Sequence, residues 1–431
     1  MEIKRDKYLR MLQARRNNGM VKVITGIRRC GKSYLMNTLF YEYLREEGME
    51  EEHIIRFAFD SADDLSLIGE NLQELVKNRK KVDPQKFMGY LSTRVIDDKP
   101  YCLLLDEVQN LDCFEAVLNG YLRKRNLDIY VTGSNSKFLS TDVLTEFAGR
   151  GDEVRVYPLT FSEYYSCHEE DGFDYALDDY MTYGGLPALL GMITEEQKMS
   201  YLKTQLNNVY LKDLVERYGL QNEDNLGELL DVIASGISSL TNPSKLSNTF
   251  KTMKKANLSE ATISRYIQYM EEAFLLSSAI RYDVKGKKYI KTPFKLYFED
   301  LGLRNARLDF RQVEETHLME NLIYNELRYR GFQVDVGLIN DRVSLDGMRS
   351  RKQFEVDFVA NCGSRRYYIQ SVYEIPDEAK MEQETIAFDR IGDSFKKVIV
   401  IGKTMRPKRT EKGYLLLGIR DFLLNPDSLD L

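Results

Sequence analysis

The sequence predicts a multidomain α/β chain, and three observations carry that prediction. Between residues 20 and 160, short apolar runs at 21–25, 54–59, 101–105, 128–133 and 153–157 alternate with helical patterns, the order of a parallel sheet sandwiched by helices. Residues 26–33 read GIRRCGKS, set between the first of these strands and a helix. The third strand, beginning at Tyr101, runs directly into Asp106-Glu107.

Val21-Lys22-Val23-Ile24-Thr25 is short and largely β-branched, so it reads as a buried strand. From Lys32 to about Glu47, Leu35, Met36, Leu39, Phe40 and Tyr43 recur on one helical face. A glycine pattern alone would match a chance turn; strand, loop and helix together make a phosphate-binding site. Its residues are Gly26, Ile27, Arg28, Arg29, Cys30, Gly31, Lys32, Ser33 and Tyr34. Gly26 and Gly31 let the backbone wrap round phosphates, toward which its N–H groups and the helix N-terminus present partial positive charge. Lys32 is placed to reach the β- and γ-phosphates, and the Ser33 hydroxyl to hold Mg²⁺. Cys30 should tolerate substitution, because the loop uses its backbone there.

A buried parallel strand has no packing reason to end in two adjacent carboxylates, which repel each other and resist desolvation. Asp106 fits a carboxylate that binds Mg²⁺ through water, and Glu107 a base that orients and polarises an attacking water. The alternative is a strand-end cap for the following helix. Loop and carboxylates together point to an ATP-binding, Mg²⁺-dependent ATPase. The strand at Asp128–Gly133 is followed by Ser134-Asn135-Ser136. Asn135 or Ser134 either contacts the γ-phosphate and the attacking water or caps the next helix. Arg150, in Ala148-Gly149-Arg150-Gly151, is either a finger reaching a neighbouring subunit's nucleotide or an ordinary surface arginine.

Composition narrows the function classes. The 431 residues suffice for roughly two to four domains, and 61 Lys+Arg against 67 Asp+Glu provide no global drive toward nucleic acid. No apolar run is long enough to span a bilayer, and MEIKRDKYLRML lacks the apolar core of a signal peptide. Cysteines at 30, 102, 113, 167 and 362 have no paired spacing, which fits a reduced, cytoplasmic protein. Three scattered histidines and no cysteine cluster argue against zinc.

The first 16 residues read as a helix laid on the sheet domain. The Asp106-Glu107 strand is expected one place removed from the loop strand, the arrangement of additional-strand ATPases. After Pro158-Leu159-Thr160-Phe161-Ser162-Glu163, helices dominate to about Gly219 and contain Gly184-Gly185-Leu186-Pro187. Residues 225–282 read as three helices followed by a strand, Phe274–Tyr282, that meets Phe294–Phe298 across a basic turn. That is the pattern of a winged helix. Its recognition helix carries only Arg265, so a lid or a protein contact fits better than DNA reading.

From about Thr316 a helix precedes strands at Gln333–Gly337, Gln353–Ala360 and Arg366–Val372, then a helix near Glu378–Ile391 and a final strand Lys397–Ile401. Glu320 and the Glu355-Val356-Asp357 segment form a candidate carboxylate cluster, the layout of a restriction-endonuclease-like core. Such a core needs an acidic residue or Gln, a spacer and a Lys to activate water. Gln370 meets the first requirement, but Val372 stands where the lysine is needed. The cluster Glu320, Asp357 and Gln370 therefore reads as degenerate, unless a lysine from elsewhere in the chain moves in.

The strings GIRRCGKS at 26–33, LLLDE at 103–107 and VTGSNS at 131–136 occur with AGR at 148–150, PLTFSEY at 158–164 and GGLP at 184–187. With FEVDFV at 354–359 and YYIQSV at 367–372, the chain resembles prokaryotic AAA-type ATPases carrying a C-terminal domain of unknown function with a nuclease-like core. The resemblance covers nearly the whole chain. It implies an additional-strand P-loop ATPase domain at 1–165, a helical lid at 166–224, a winged helix at 225–310 and a restriction-endonuclease-like domain at 311–431. It carries nucleotide roles to Lys32, Ser33, Asp106 and Glu107, and no nuclease lysine to Val372. Three functions follow as expectations: an ATP-driven switch or homo-oligomeric machine, an ATP-dependent DNA-binding or nuclease protein, or a nucleotide-regulated scaffold. DNA or a protein client would engage the C-terminal domains, with no membrane involved.

Overall fold

The computed structural model describes residues 3–133, 147, 149–220, 223–254, 258–312, 314–345, 348–375 and 377–431. The chain divides into two compact units, Met1–Pro158 and Leu159–Leu431.

In the first unit β1 (Val21–Thr25), β2 (Ile54–Ala58), β3 (Tyr101–Asp106), β4 (Leu127–Thr132) and β5 (Gly151–Arg155) form one sheet in the order β2-β3-β4-β1-β5. All four pairings are parallel. β4 lies between β1 and β3, so the Asp106-Glu107 strand is one place removed from the loop strand, as expected. Every residue of β1, β3 and β4 is buried, as in a parallel sheet covered on both faces. Lys22 is among them: its ammonium binds the Asp128 carboxylate on adjacent β4 and the Met20 carbonyl, at 2.9 Å. The residues after β1, β3 and β4 all emerge at the C-terminal edge, where ligands bind in open α/β sheets.

Helix α1 (Asp6–Ala14) buries Tyr8 and Leu12, shorter than the expected 16 residues. The helix after the loop, residues 32–46, has a π-helical middle turn at Leu35–Phe40. It buries Leu35, Met36, Leu39, Phe40 and Leu44, with Tyr43 at its margin.

The second unit contains α2 (Phe173–Tyr183), α3 (Glu223–Ser235), α4 (Pro243–Lys254) and α5 (Glu260–Glu272). β6 (Leu276–Asp283) and β7 (Lys288–Phe298) follow, then α6 (Leu301–Arg307) and α7 (Glu315–Tyr329). β8 (Gln333–Leu345), β9 (Met348–Cys362), β10 (Arg365–Val372), β11 (Lys396–Ile401), β12 (Lys408–Arg409) and β13 (Leu415–Gly418) complete it. One eight-stranded sheet runs β12-β13-β11-β10-β9-β8-β6-β7. The three helices and hairpin expected for 225–298 are present as elements, but the hairpin is not a free-standing wing. β6 pairs in parallel with β8, Arg281 opposite Val336, so the hairpin is the edge of the C-terminal sheet.

Two further expectations are corrected. β8 and β9 extend beyond the predicted runs to a pairing of Leu345 with Met348. Polar and charged residues outnumber apolar ones in the paired runs 341–345 and 348–352, so the sequence signal for a strand is weak there. Lys396–Ile401 is also not the last strand, since β13 adds in parallel beside it; that four-residue run is too short to carry a periodic signal.

The Gly184-Gly185 pair marks a close approach. A Cβ on Gly184 would lie 2.3 Å from an Asp300 oxygen, and one on Gly302 would lie 1.9 Å from the Tyr183 carbonyl oxygen. Asp300 accepts from the Gly185 and Leu303 N–H groups at 2.8 and 3.1 Å, capping α6 while joining it to the end of α2. Burial pushes its carboxyl up to about 6 against those hydrogen bonds.

Candidate active site

The loop is built as its glycines require. Gly26 has φ 140° and Gly31 φ 99°, values that L side chains rarely adopt. A Cβ on Gly26 would meet the Val156 carbonyl oxygen at 2.0 Å and the Cys30 sulfur at 3.1 Å. Arg29, exposed at φ 64°, and half-buried Arg28 face outward relative to Ile27 and Cys30, which are buried. Cys30 is fully buried, its sulfur 3.4 Å from the Val156 carbonyl oxygen. Arg5 supports the loop from behind. Its guanidinium donates to the carbonyls of Cys30 at 3.3 Å and Tyr157 at 2.7 Å.

Lys32 is 5% exposed, and its ammonium donates to the carbonyls of Gly26 and Ile27 at 2.9 and 3.1 Å. Its charge is thus held by neutral oxygens of the loop itself. Ser33 is exposed and Tyr34 half-buried in the helix's first turn.

Asp106 closes β3 with hydrogen bonds from three side chains on two elements, β4 and the helix after the loop. The Thr132 hydroxyl at the end of β4 donates to Oδ1, Asn37 donates to Oδ2 at 3.2 Å, and the Ser33 hydroxyl also bonds the carboxylate. Burial pushes the Asp106 carboxyl up from its ordinary value, opposed by the bonds from Thr132 and Ser33. Ser33 and Asp106 thus present hydroxyl and carboxylate oxygens side by side, a donor set that suits Mg²⁺.

Glu107 adopts φ 50° and ψ 46°, an uncommon conformation outside glycine. Its N–H donates to the Thr132 hydroxyl at 3.2 Å, and its carboxylate accepts from the Gln109 side-chain amide. Asp60, just beyond β2, is raised by burial and then by Glu107 and Asp106, so three carboxylates converge at this edge. Thr132, Asn37, Gln109 and Asp60 were not singled out in the sequence. Only the polar ending of each strand signals Thr132 and Asp60; nothing in the string marks Asn37 or Gln109.

Ser134 and Asn135 lie outside the described residues. Arg150 is exposed, and its carbonyl accepts from the Val21 N–H at 2.9 Å. Val21 opposite Gly151 opens the β1–β5 ladder, whereas the loop follows Thr25 opposite Arg155. Arg150 therefore sits at the far edge of the sheet from its own loop, about 13 Å of strand away at ~3.3 Å per residue.

The second unit holds its own ion cluster. Lys295, on β7 and 3% exposed, places its ammonium 2.9 Å from Glu320, 2.8 Å from Glu355 and 3.4 Å from Asp357. Tyr297 donates to Glu320 at 2.8 Å, and the Gln370 carbonyl accepts from the Asp357 N–H at 3.4 Å. Glu320, Asp357 and Gln370 are thus brought together on α7, β9 and β10, while Val372 is buried. Burial alone would push the Lys295 ammonium down, but Glu320, Asp357 and Glu355 hold it well above the lysine range. Burial pushes Glu320 up and Asp357 up to about 7, with Lys295 opposing both. Lys295 was invisible in the sequence because it arrives from an edge strand, 62 residues before Asp357.

Residues 18–165 match the AAA domain, and residues 174–314 match a domain of unknown function (DUF8612). An uncharacterized protein of Haemophilus influenzae is 31% identical over 428 residues, covering 98% of each chain. An uncharacterized protein of Methanocaldococcus jannaschii is 26% identical over 385 residues, covering 86% of this chain and 78% of that one. A Walker-type ATPase of Pyrococcus abyssi, 16% identical, covers 71% of this chain and 96% of its own, with a TM-score of 0.47. Among the described residues, no helix is long and apolar enough to cross a membrane.

Proposed function

The chain belongs to one family with the Haemophilus influenzae protein, and from its AAA domain we infer that it binds ATP and hydrolyses it with Mg²⁺, as a switch or homo-oligomeric machine. The observation that carries this reading is the meeting of the loop, with Lys32, and the Asp106-Glu107 strand end at one sheet edge, tied together by Thr132 and Ser33.

In this reading the loop N–H groups from Ile27 to Tyr34 and the helix N-terminus cradle the phosphates. Lys32 exchanges its two carbonyl partners for phosphate oxygens. Ser33 and Asp106 would hold Mg²⁺, which supplies charge neutralisation at the terminal phosphates. Glu107 takes the proton of the attacking water as its oxygen bonds to the γ-phosphorus, and ADP leaves. Arg150, at the opposite sheet edge from its own loop, is offered to a neighbouring copy. Asn135 remains the candidate sensor, with Thr132 holding the metal-side carboxylate.

The Glu320–Asp357–Gln370 cluster is degenerate at Val372, where the lysine of such a core stands, but Lys295 brings an ammonium to its carboxylates from elsewhere in the chain, which keeps an ATP-dependent nuclease as the second reading. The second unit then serves a DNA or protein partner, and a cytoplasmic location belongs to the same reading.

Steady-state ATPase measurements with and without DNA test it. Turnover is expected in the parental protein, with a fall of about two to four orders of magnitude in Glu107→Gln and ATP binding retained. Absence of turnover under every condition, with ATP still bound, would favour the scaffold instead.

A further inference from the structure

Glu107 stands on a short turn whose neighbours are fixed. Residues Val108–Asn110 form a 3₁₀ turn, and the Asn110 N–H returns to the Glu107 carbonyl at 3.0 Å. Immediately beyond, Val82 clamps the chain: its N–H donates to the Asn110 carbonyl at 2.8 Å, and its carbonyl accepts from the Asp112 N–H at 3.0 Å. This anchored turn aims Gln109 inward, where it is 8% exposed and its Nε2 donates to Oε2 of Glu107. The amide orientation follows from charge, since reversing it would set a carbonyl oxygen against a carboxylate. Among the described residues, no donor meets the other end of this amide, and Oε1 is buried without a hydrogen bond. A buried polar atom without a partner is costly, so packing alone would favour an apolar side chain here. Retention of the amide makes sense through what its N–H does to Glu107.

A force for it to resist is also present. Asp60 and Asp106 place negative charge beside Glu107, and an unrestrained carboxylate would swing away from them. A general base must stay within hydrogen-bond reach of the water it deprotonates.

We propose that Gln109 is a positioning residue of Glu107: its amide N–H holds one carboxylate oxygen and so fixes the direction in which the carboxylate meets the attacking water. This rests on Glu107 being the base. In this role Gln109 acts through the Glu107 carboxylate.

The test compares single-turnover ATP hydrolysis and ATP affinity in Gln109→Leu, Glu107→Gln and the double variant of the full chain. Gln109→Leu should lower the hydrolysis rate about 10- to 100-fold, the usual loss for a group that orients a catalytic one, with ATP affinity unchanged. The double variant should match Glu107→Gln alone, because Gln109 then has no base left to position. A general packing role would instead lower the residual rate further in the Glu107→Gln background. If Gln109→Leu does not fold, Gln109→Asn, whose amide is drawn back by one methylene, should show the same pattern. A parental rate in the Gln109 variant, or additive losses in the double variant, overturns the proposal while leaving Glu107 as base. A parental rate in Glu107→Gln removes the base, and with it the proposal.

Discussion

Each unit of this protein brings carboxylates together near a buried lysine, and the two lysines are held in opposite ways. Lys32 rests on the neutral carbonyls of Gly26 and Ile27, with Asp106 and Glu107 at the neighbouring strand end. Lys295 is in direct contact with Glu320, Glu355 and Asp357. A cation on carbonyls keeps most of its charge available and can exchange them for phosphate. A cation packed among carboxylates is already committed, and removing it would strand buried negative charge. The difference separates a site built to receive an anion from one that supplies its own counter-ion.

The largest expected effect lies in the first cluster. Lys32→Ala should leave no ATP binding measurable by isothermal titration, because its ammonium is the main fixed charge facing the terminal phosphates. Undiminished affinity would break the comparison at its root.

The next effect asks whether the first site borrows a second cation. Arg150, exposed at the far sheet edge, cannot serve its own loop. A finger supplied in trans is worth about 10³–10⁵ in rate with little change in nucleotide affinity. ATPase activity should then rise faster than linearly with protein concentration, and mixing Arg150→Ala with Glu107→Gln should recover some turnover. Linear concentration dependence with a fully active Arg150→Ala would show a self-contained switch and remove the oligomeric machine.

In the second cluster, Lys295→Met should destabilise the protein by about 3–5 kcal/mol, the range for breaking a buried ion pair from one side. The sign with pH follows from the carboxylates. Asp357 titrates at about 7 in the folded protein, against 3.8 ordinarily, so the folded state holds a proton that the unfolded chain releases. Its contribution falls as pH rises between those values and is flat above about 7. Loss of the ammonium raises Asp357 and Glu320 further, so denaturant unfolding should show a smaller penalty at about pH 5 than at about pH 8. A penalty independent of pH would show that Lys295 contributes packing rather than charge.

The smallest effect concerns the loop's own side chain. Cys30→Ala should cost about 1 kcal/mol of stability, as for removal of a small buried group, and leave ATP affinity unchanged. Reduced affinity without lost stability would mean the thiol shapes the phosphate cradle.

Much of the first site was legible because its signals are local. Gly26, Gly31, Lys32 and Ser33 occupy one loop whose glycines need positive φ, and Asp106-Glu107 interrupts an apolar strand at a point where burial alone forbids them. The strand positions followed from apolar runs, and the position of β3 one strand away from β1 matched the expectation. The supports of that site were not legible: Asn37 sits on a helix like any polar residue, and Gln109 and Arg5 carry no pattern of their own.

By itself the sequence determined the alternation of strands and helices, the phosphate-binding loop and the carboxylates at the end of β3, because these depend on backbone conformation and burial within a few residues. Only the tertiary structure decided which charges became partners. Nothing in the string names the partners of Lys22 and Lys295: one is buried against Asp128 on an adjacent strand and the other against Glu320, Glu355 and Asp357. The same holds for the hairpin, which was expected as a wing and became the edge of an eight-stranded sheet through its ladder with β8. Ion pairing and strand pairing act between segments distant in the chain, and their energy depends on which elements become neighbours, a property no local window of residues encodes.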